Sequence, residues 1–215
     1  MHNPDILTGK ANPSGKLATT FPVSYKDVPA VNFPSDYMPE PSSMIGGRNK
    51  SLNPNEWIPN VDFTIYEEDI FVGYRYYDTY NKTVSFPFGY GLSYTTFQYA
   101  NPKISNDNGT ITVTVDIKNT GNKAGKEVVE LYVAAPHNQS LPKPAKELKA
   151  FAKTNELAPR ETQTVKFIVK TTDLASYDET AKQWLTDAGV YRFLLGASSA
   201  EIKEVLEIDI NVYIQ

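Results

Sequence analysis

This 215-residue chain has no cysteine and only two histidines, His2 and His137. Without cysteine there are no disulfides and no thiolate chemistry, which suits a reducing compartment or an exported protein whose core needs no staples. With so little histidine, a His-based metal site or a Ser-His-Asp triad has poor support. His2 stands at the terminus, and His137 follows Pro136 at a strand end, where a solvated loop residue is expected. No run reaches the roughly 20 apolar residues of a membrane-spanning helix. Met1-His2-Asn3-Pro4-Asp5 lacks the basic start and apolar run of a signal peptide. Charge of one sign is missing too: 21 Lys and Arg stand against 25 Asp and Glu, for a net charge of -4. That balance offers no footprint for nucleic acid or an anionic membrane, and neither is expected as a partner. Heptads and internal repeats are absent, and so is a phosphate loop. Gly9 to Gly15 lacks a Gly-Lys-Ser/Thr ending, and no helical pattern follows Gly46-Gly47.

The chain does contain 40% hydrophobic residues, with 14 Tyr, 10 Phe and 2 Trp, enough to fill a real core. Residues 1 to about 60 are rich in Pro, Asn, Ser and Gly, with helical character only near Asp5-Ile6-Leu7-Thr8. So long an irregular stretch is unusual inside a self-sufficient domain and reads as a wrapping linker or a piece of something larger. Val61 to Tyr66 and Ile70 to Tyr77 read as two short β segments around Glu67-Glu68-Asp69. The run Phe86-Pro87-Phe88-Gly89-Tyr90-Gly91-Leu92-Ser93-Tyr94-Thr95-Thr96-Phe97 fits neither helix nor strand periodicity. Pro87 fixes its φ, Gly89 and Gly91 add backbone freedom, and the aromatics predict an irregular packed segment between two sheets.

Beyond Phe97 the pattern becomes regular. Ile111, Val113, Val115 and Ile117 alternate with Thr110, Thr112, Thr114 and Asp116, as in a half-buried strand. A turn signal at Asn119 to Gly125 precedes Val128 to Val133, which is apolar on both faces and is expected to be central or interdomain. Further strands are expected at Glu147 to Phe151, Thr164 to Val169 and Val190 to Leu195. A last strand should carry Leu206, Ile208, Ile210, Val212 and Ile214 on one face. Leu157 to Glu161 reads as a corner and Asp187-Ala188-Gly189 as a turn. About seven short strands with almost no helical periodicity predict a mainly β chain: a β-sandwich over 98–215 after an extended region over 1–97.

Candidate chemistry is thin. Glu67-Glu68-Asp69 is the dense carboxylate cluster, but neighbours on a strand point to opposite faces, whereas a glycosidase pair converges across its substrate. A solvated turn is the simpler reading. Nor does the spacing suit a calcium loop. The aromatics could stack on sugars or simply pack, and Trp57 and Trp184 fall in different halves. The Asn-x-Ser/Thr sequences at Asn49, Asn81, Asn108 and Asn138 matter only in a eukaryotic secretory route.

Tyr66 to Asp78 and Phe86 to Phe97 together closely resemble the segment joining the last two domains of glycoside hydrolase family 3 enzymes, the β-glucosidases and β-xylosidases. Upstream, Leu7 to Leu17 and Thr20-Phe21-Pro22 resemble the end of that family's α/β-sandwich domain. Downstream, Asn119-Thr120-Gly121, Ala124 to Val133, Gly189-Val190-Tyr191 and Leu195 to Ser199 resemble its fibronectin type III-like domain. The resemblance implies residues 1–97 as the tail of the α/β-sandwich domain plus connector, and 98–215 as a fibronectin type III/immunoglobulin-like β-sandwich. It also implies a parent enzyme that hydrolyses β-glycosides with retention, whose nucleophile and acid/base lie upstream. No catalytic, cofactor or metal residue is assigned here, and the chain alone is expected to be inactive. It should instead be a structural, accessory region packed on the missing catalytic domains. A carbohydrate-binding module that tethers an enzyme to β-glycan is the alternative. The family implies a periplasmic or extracellular setting, and unpartnered apolar surface implies self-association.

Overall fold

The computed structural model describes residues 3–29, 49–50, 57–58, 68–137, 140–211 and 213–214. The expected strand over 61–66, with His2, Gly46, Gly47, Glu67, Asn138 and Val212, lies outside them.

Among the described residues, two short α-helices and fourteen strands follow in chain order. They are α1 (Asn3–Leu7), β1 (Phe21–Pro22), β2 (Asn49–Lys50), β3 (Trp57–Ile58), α2 (Tyr74–Thr79), β4 (Val84–Phe86), β5 (Phe97–Asp107), β6 (Thr110–Asn119), β7 (Val128–Ala134), β8 (Glu147–Lys153), β9 (Thr162–Lys170), β10 (Ser176–Asp178), β11 (Gln183–Thr186), β12 (Gly189–Gly196), β13 (Ile202–Ile210) and β14 (Tyr213–Ile214). A three-stranded antiparallel sheet, β5-β6-β9, faces a four-stranded one, β13-β12-β7-β8. The alternation in β6 translates directly into burial, since Ile111, Val113, Val115 and Ile117 are all fully buried. They meet Val129, Leu131 and Val133 of β7, Phe167 of β9, and Tyr191, Phe193 and Leu195 of β12 in one core.

β5 and β6 form a hairpin closed by Asn108 (φ 48) and Gly109 (φ 82). Two consecutive positive φ values define the type I′ turn, whose twist matches the strands it joins, and Asn-Gly is its preferred pair. Period-two reading passes over β5 because its register shifts between Ala100 and Lys103, where Asn101 sits at φ 50. That bulge breaks the alternation.

Two expectations are corrected. Residues 74–79 are helical, although Ile70 to Tyr77 reads as a strand. Gly73 turns the chain at φ 54, and the helix then places Tyr76 beside Tyr80, with ring centroids 5.2 Å apart, and buries Tyr77. Aromatics four apart meet on one helical face, and the contacts of Tyr74 with Phe88, Tyr132 and Leu148 add the tertiary gain that overrides strand propensity. The last strand is also interrupted. β13 ends at Ile210, and β14 instead pairs with β11 in the small sheet β10-β11-β14.

The far end of the sandwich is fixed by buried polar groups. Lys143 Nζ lies 3.3 Å from Asp187 Oδ2, and both side chains are almost wholly buried. Burial alone would raise the Asp187 carboxyl, but the Ser140 hydrogen bonds and the Lys143 charge outweigh it and hold the group below its ordinary range. The fully buried Tyr191 at the start of β12 donates its hydroxyl back to the Asp187 carbonyl at 3.1 Å. This is the geometry of a tyrosine corner. Burial, with the Asp187 charge nearby, pushes that hydroxyl up to about 12, so it remains a donor. Tyr191→Phe strips the carbonyl of its partner and is expected to lower stability by about 1–3 kcal/mol. The readout is the urea midpoint at constant m; an unmoved midpoint would show that the corner contributes nothing.

Candidate functional site: the joint between connector and sandwich

The outward face of β7 is where the two halves of the chain meet. Glu130 and Tyr132 point away from the core yet are 4% and 0% exposed, so another part of the chain must cover them. The cover is built from residues 12–17, from the Phe86 to Phe97 run, whose Gly89 lies against Glu130, and from Tyr74 of α2, whose ring centroid is 5.7 Å from that of Tyr132. The first two segments exchange backbone bonds: Leu17 N donates to Tyr90 O and Gly89 N to Leu17 O, both at 2.8 Å. Ser199 N then donates to Phe88 O at 2.8 Å, which pins the run to the loop after β12.

Each part of the run has a distinct contact. Phe86 packs on Phe21 and on Tyr90, with centroids 6.3 and 5.0 Å apart. Phe88 lies against Tyr74 of α2 at 5.1 Å. Gly89, at φ 80, sits against the Glu130 carboxylate, so a Cβ there would have to displace that buried group from its bond with Tyr132. A Cβ on Gly91 would come within 2.5 Å of the Gly15 carbonyl oxygen. The tip of the run is held by Asn12. Its Oδ1 accepts from Tyr94 N at 2.9 Å and from the Ser93 hydroxyl at 3.1 Å, while its Nδ2 donates to Ala124 O at 2.8 Å. Thr95 closes the run by donating to Asn119 Oδ1 at 2.6 Å. Asn119 is fully buried and fully used, since Gly121 N also donates to its Oδ1 and its Nδ2 reaches the Lys123 and Leu157 carbonyls. Such complete satisfaction makes a buried amide tolerable.

The electrostatics centre on one ammonium. Lys16 Nζ lies 3.2 Å from Glu127 Oε1 and donates to Ala197 O at 2.9 Å. Tyr132 donates its hydroxyl to Glu130 Oε2 at 2.5 Å. Burial raises both carboxyls above their ordinary values, against the pull of Lys16 on each and of the Tyr132 hydroxyl on Glu130. Burial likewise pushes up the hydroxyls of Tyr99 and Tyr132, which therefore stay neutral donors.

A second attachment lies at the opposite end of the β7-β8 pair. Tyr74 Oη accepts from Leu148 N at 2.7 Å and Thr79 Oγ1 from Ala145 N at 2.8 Å. Asp78 lies 2.9 Å from Lys146, and Arg75 lies 3.5 Å from Glu147. Lys146 also sits 5.9 Å from the Tyr132 ring centroid.

This arrangement positions chain segments. Glu68 and Asp69 fall in the turn before α2, with Asp69 exposed. His137 is exposed just past β7. Among the described residues no group of three or more His, Cys, Asp or Glu side chains could hold a metal ion. Sequence reading passed over Asn12 and Lys16, each a lone polar residue in an irregular stretch. The signal available was indirect: Glu127 beside and Glu130 inside an otherwise apolar strand both demand partners, which Lys16 supplies to Glu127 and Tyr132 to Glu130.

A seven-stranded sandwich of this kind, with a tyrosine corner, is a fibronectin type III-like domain, and the profile of that domain matches residues 127–199. By sequence and by fold the chain corresponds to the C-terminal portion of glycoside hydrolase family 3 β-glucosidases. It is 37% identical to β-glucosidase BoGH3A of Bacteroides ovatus, over 98% of this chain and 26% of that protein. The thermostable β-glucosidase B of Acetivibrio thermocellus is 39% identical over 98% of this chain and 25% of its own length. The solved structure of β-glucosidase 3B from Thermotoga neapolitana, in complex with α-D-glucose, superposes with a TM-score of 0.81 at 43% identity, over 98% of this chain and 26% of that one. The chain thus spans about a quarter of the length of the relatives it matches.

Gly89→Ala tests the joint against a built-in control. Ala at Gly89 meets both an unfavourable φ and the Glu130 carboxylate, whereas Ala at Gly9 meets a similar φ of 72 but nothing within 4 Å. The backbone part costs about 1–3 kcal/mol at either position. Gly89→Ala is therefore expected to lower the melting temperature clearly more than Gly9→Ala, and equal effects would deny the close approach.

Proposed function

We propose that the chain is the non-catalytic clamp of a retaining β-glycosidase, holding that enzyme's catalytic domains in register. The observation that carries this reading is the covered outward face of β7, which fastens the connector to the sandwich at both ends of the strand. Glycoside hydrolysis with retention needs two carboxylates aimed at one anomeric carbon. Displacement by about 1 Å can cost roughly a hundredfold in rate. A rigid third body that fixes the segment between domains would serve that need, and the chain by itself would be inactive.

The domain-facing surface is also suggestive. Leu7, Phe21, Val23, Tyr25, Phe86 and Leu92 are each at least 43% exposed, all within the N-terminal region. We assign their cover to the remaining domains of the same enzyme. Alone, the chain should self-associate through them. Light scattering at rising protein concentration reads this out, and a mass that stays monomeric throughout counts against that assignment.

The carbohydrate-binding alternative draws on Tyr177 and Trp184, neighbours on the β10-β11 hairpin that are 46% and 49% exposed. Their planes are inclined at 60° with centroids 5.4 Å apart, whereas a platform for successive sugar rings wants coplanar faces. The geometry therefore favours the clamp. Co-sedimentation with insoluble β-glucan separates the two readings, since retention in the pellet supports the module.

The decisive experiment exchanges domains. In the Thermotoga neapolitana enzyme, deleting the region that matches residues 98–215 is expected to lower melting temperature and turnover together, the latter by about a hundredfold. Grafting residues 98–215 of this chain in its place should restore both. A deletion that leaves both unchanged defeats the proposal.

A further inference from the structure

We infer that the joint is a pH-responsive lock, in which Lys16 pairs with Glu127 alone and one of the two neighbouring buried carboxyls, Glu127 or Glu130, keeps its proton while the joint is closed. The inference rests on a count of charges in a confined place. Glu127 and Glu130 are 7% and 4% exposed. Among the described residues, Lys16 is the one cation within ion-pair distance of either carboxylate.

The other charged and titratable groups around them do not change this balance. From β5, Tyr99 adds no charge: burial first, then the nearby Glu127, Glu130 and Glu201 charges, keep its hydroxyl neutral, and it lies 3.4 Å from Gly196 O. From β7 itself, the Tyr132 hydroxyl serves Glu130. Glu201, after β12, adds negative charge near Glu127 and is already paired with Lys203. Lys126 lines the same cavity but is exposed. From β8, Lys153 is bound to the Ser14 carbonyl at 2.8 Å. On the α2 side, Tyr74 and Asp78 lie near Tyr132, and Asp78 is paired with Lys146. A cavity of about 170 Å³ beside Lys16 and Glu127, walled by residues 91–93 and 95–97, gives the proton a route to water.

With Glu127 and Glu130 both ionised beside one ammonium, this poorly solvated site buries an uncompensated negative charge, which is costly. Deprotonating the second one favours separating the segments and admitting water. The sign follows from the direction of the shifts. Both carboxyls are raised in the closed joint, so the stability they confer is fully present below their ordinary range and is lost as pH rises through the raised values. Asp187 is lowered by its Ser140 and Lys143 partners despite burial, and Asp116 by hydrogen bonds from Thr164 and Asn101. Their contribution is present above the ordinary carboxyl range and lost as pH falls. The joint therefore loosens as pH rises above the carboxyl range, and the sandwich weakens on the acid side.

Amide hydrogen exchange on the whole chain, corrected for the intrinsic pH dependence of exchange, tests this. Ser199 reports the joint because its amide bonds across it to Phe88 O, and Leu17 and Gly89 report the two covering segments, which bond to each other; amides of β6 and β9 report the sandwich. Protection at the three reporters is expected to fall roughly tenfold as pH rises from the ordinary carboxyl range, about 4.5, to neutrality while the sandwich amides stay level, the change that one pKa unit of displacement produces. The double variant Glu127→Gln, Glu130→Gln should lose that decline. Reporter protection that is flat with pH in the native chain overturns the inference, as does a decline that survives in the variant. Should the variant fail to fold, the native profile decides alone.

Discussion

Glu130 and Tyr132 face away from the sandwich core and are nonetheless shut off from water, and the order of the N-terminal side follows from that. A β-sandwich with one solvated outer face needs no cover. This one places a carboxylate and a phenol on the outer face of a central strand, where exposure would be harmless, and then buries them. An uncompensated polar group in such a place is costly. The connector must therefore fit closely, supply partners and stay in place. The glycines, aromatics and single lysine of residues 12–17 and 86–97 are the consequence.

What could be read from the sequence depended on whether the cause of a structure was local. β6 was legible because one buried face imposes a period of two, and β7 because both its faces are covered. The Asn119 to Gly125 turn was legible as a turn, but not as the point where a buried amide gathers Thr95, Gly121, Lys123 and Leu157. α2 was read as a strand because its tyrosines favour strands, and only contacts with β7, β8 and Phe88 make the helix the better arrangement. β5 had a usable local signal that was not used. Asn108-Gly109 is the preferred pair for a two-residue hairpin turn, and it requires a strand before it as well as after.

The joint was legible only by resemblance. Its partners lie about 80 to 180 residues apart, as in Asn12 with Tyr94 and Lys16 with Ala197, and no periodicity spans such distances. The family motif marked the right stretch without saying what each residue does. The structure supplies the reasons: Gly89 because Glu130 occupies the space of its side chain, and Gly91 because the Gly15 carbonyl does. In a motif of this kind the residues record close approaches and need not take part in chemistry.

Rigidity in the proposed clamp depends on where the attachments fall. β7 and β8 pair antiparallel, with Val128 opposite Lys153 and Val133 opposite Glu147. Lys153 holds Ser14 at the first end, while Glu147 and the neighbouring Ala145 and Leu148 hold α2 at the other. At about 3.3 Å per residue the two attachments are separated by some 15–20 Å. One contact would leave the sandwich able to pivot about it; two contacts at that separation turn any pivot into the breaking of hydrogen bonds at one end. A body joined to a neighbour by a single flexible crossing could not fix position to within an ångström, and the two-ended attachment on β7 and β8 is what would allow this one to do so.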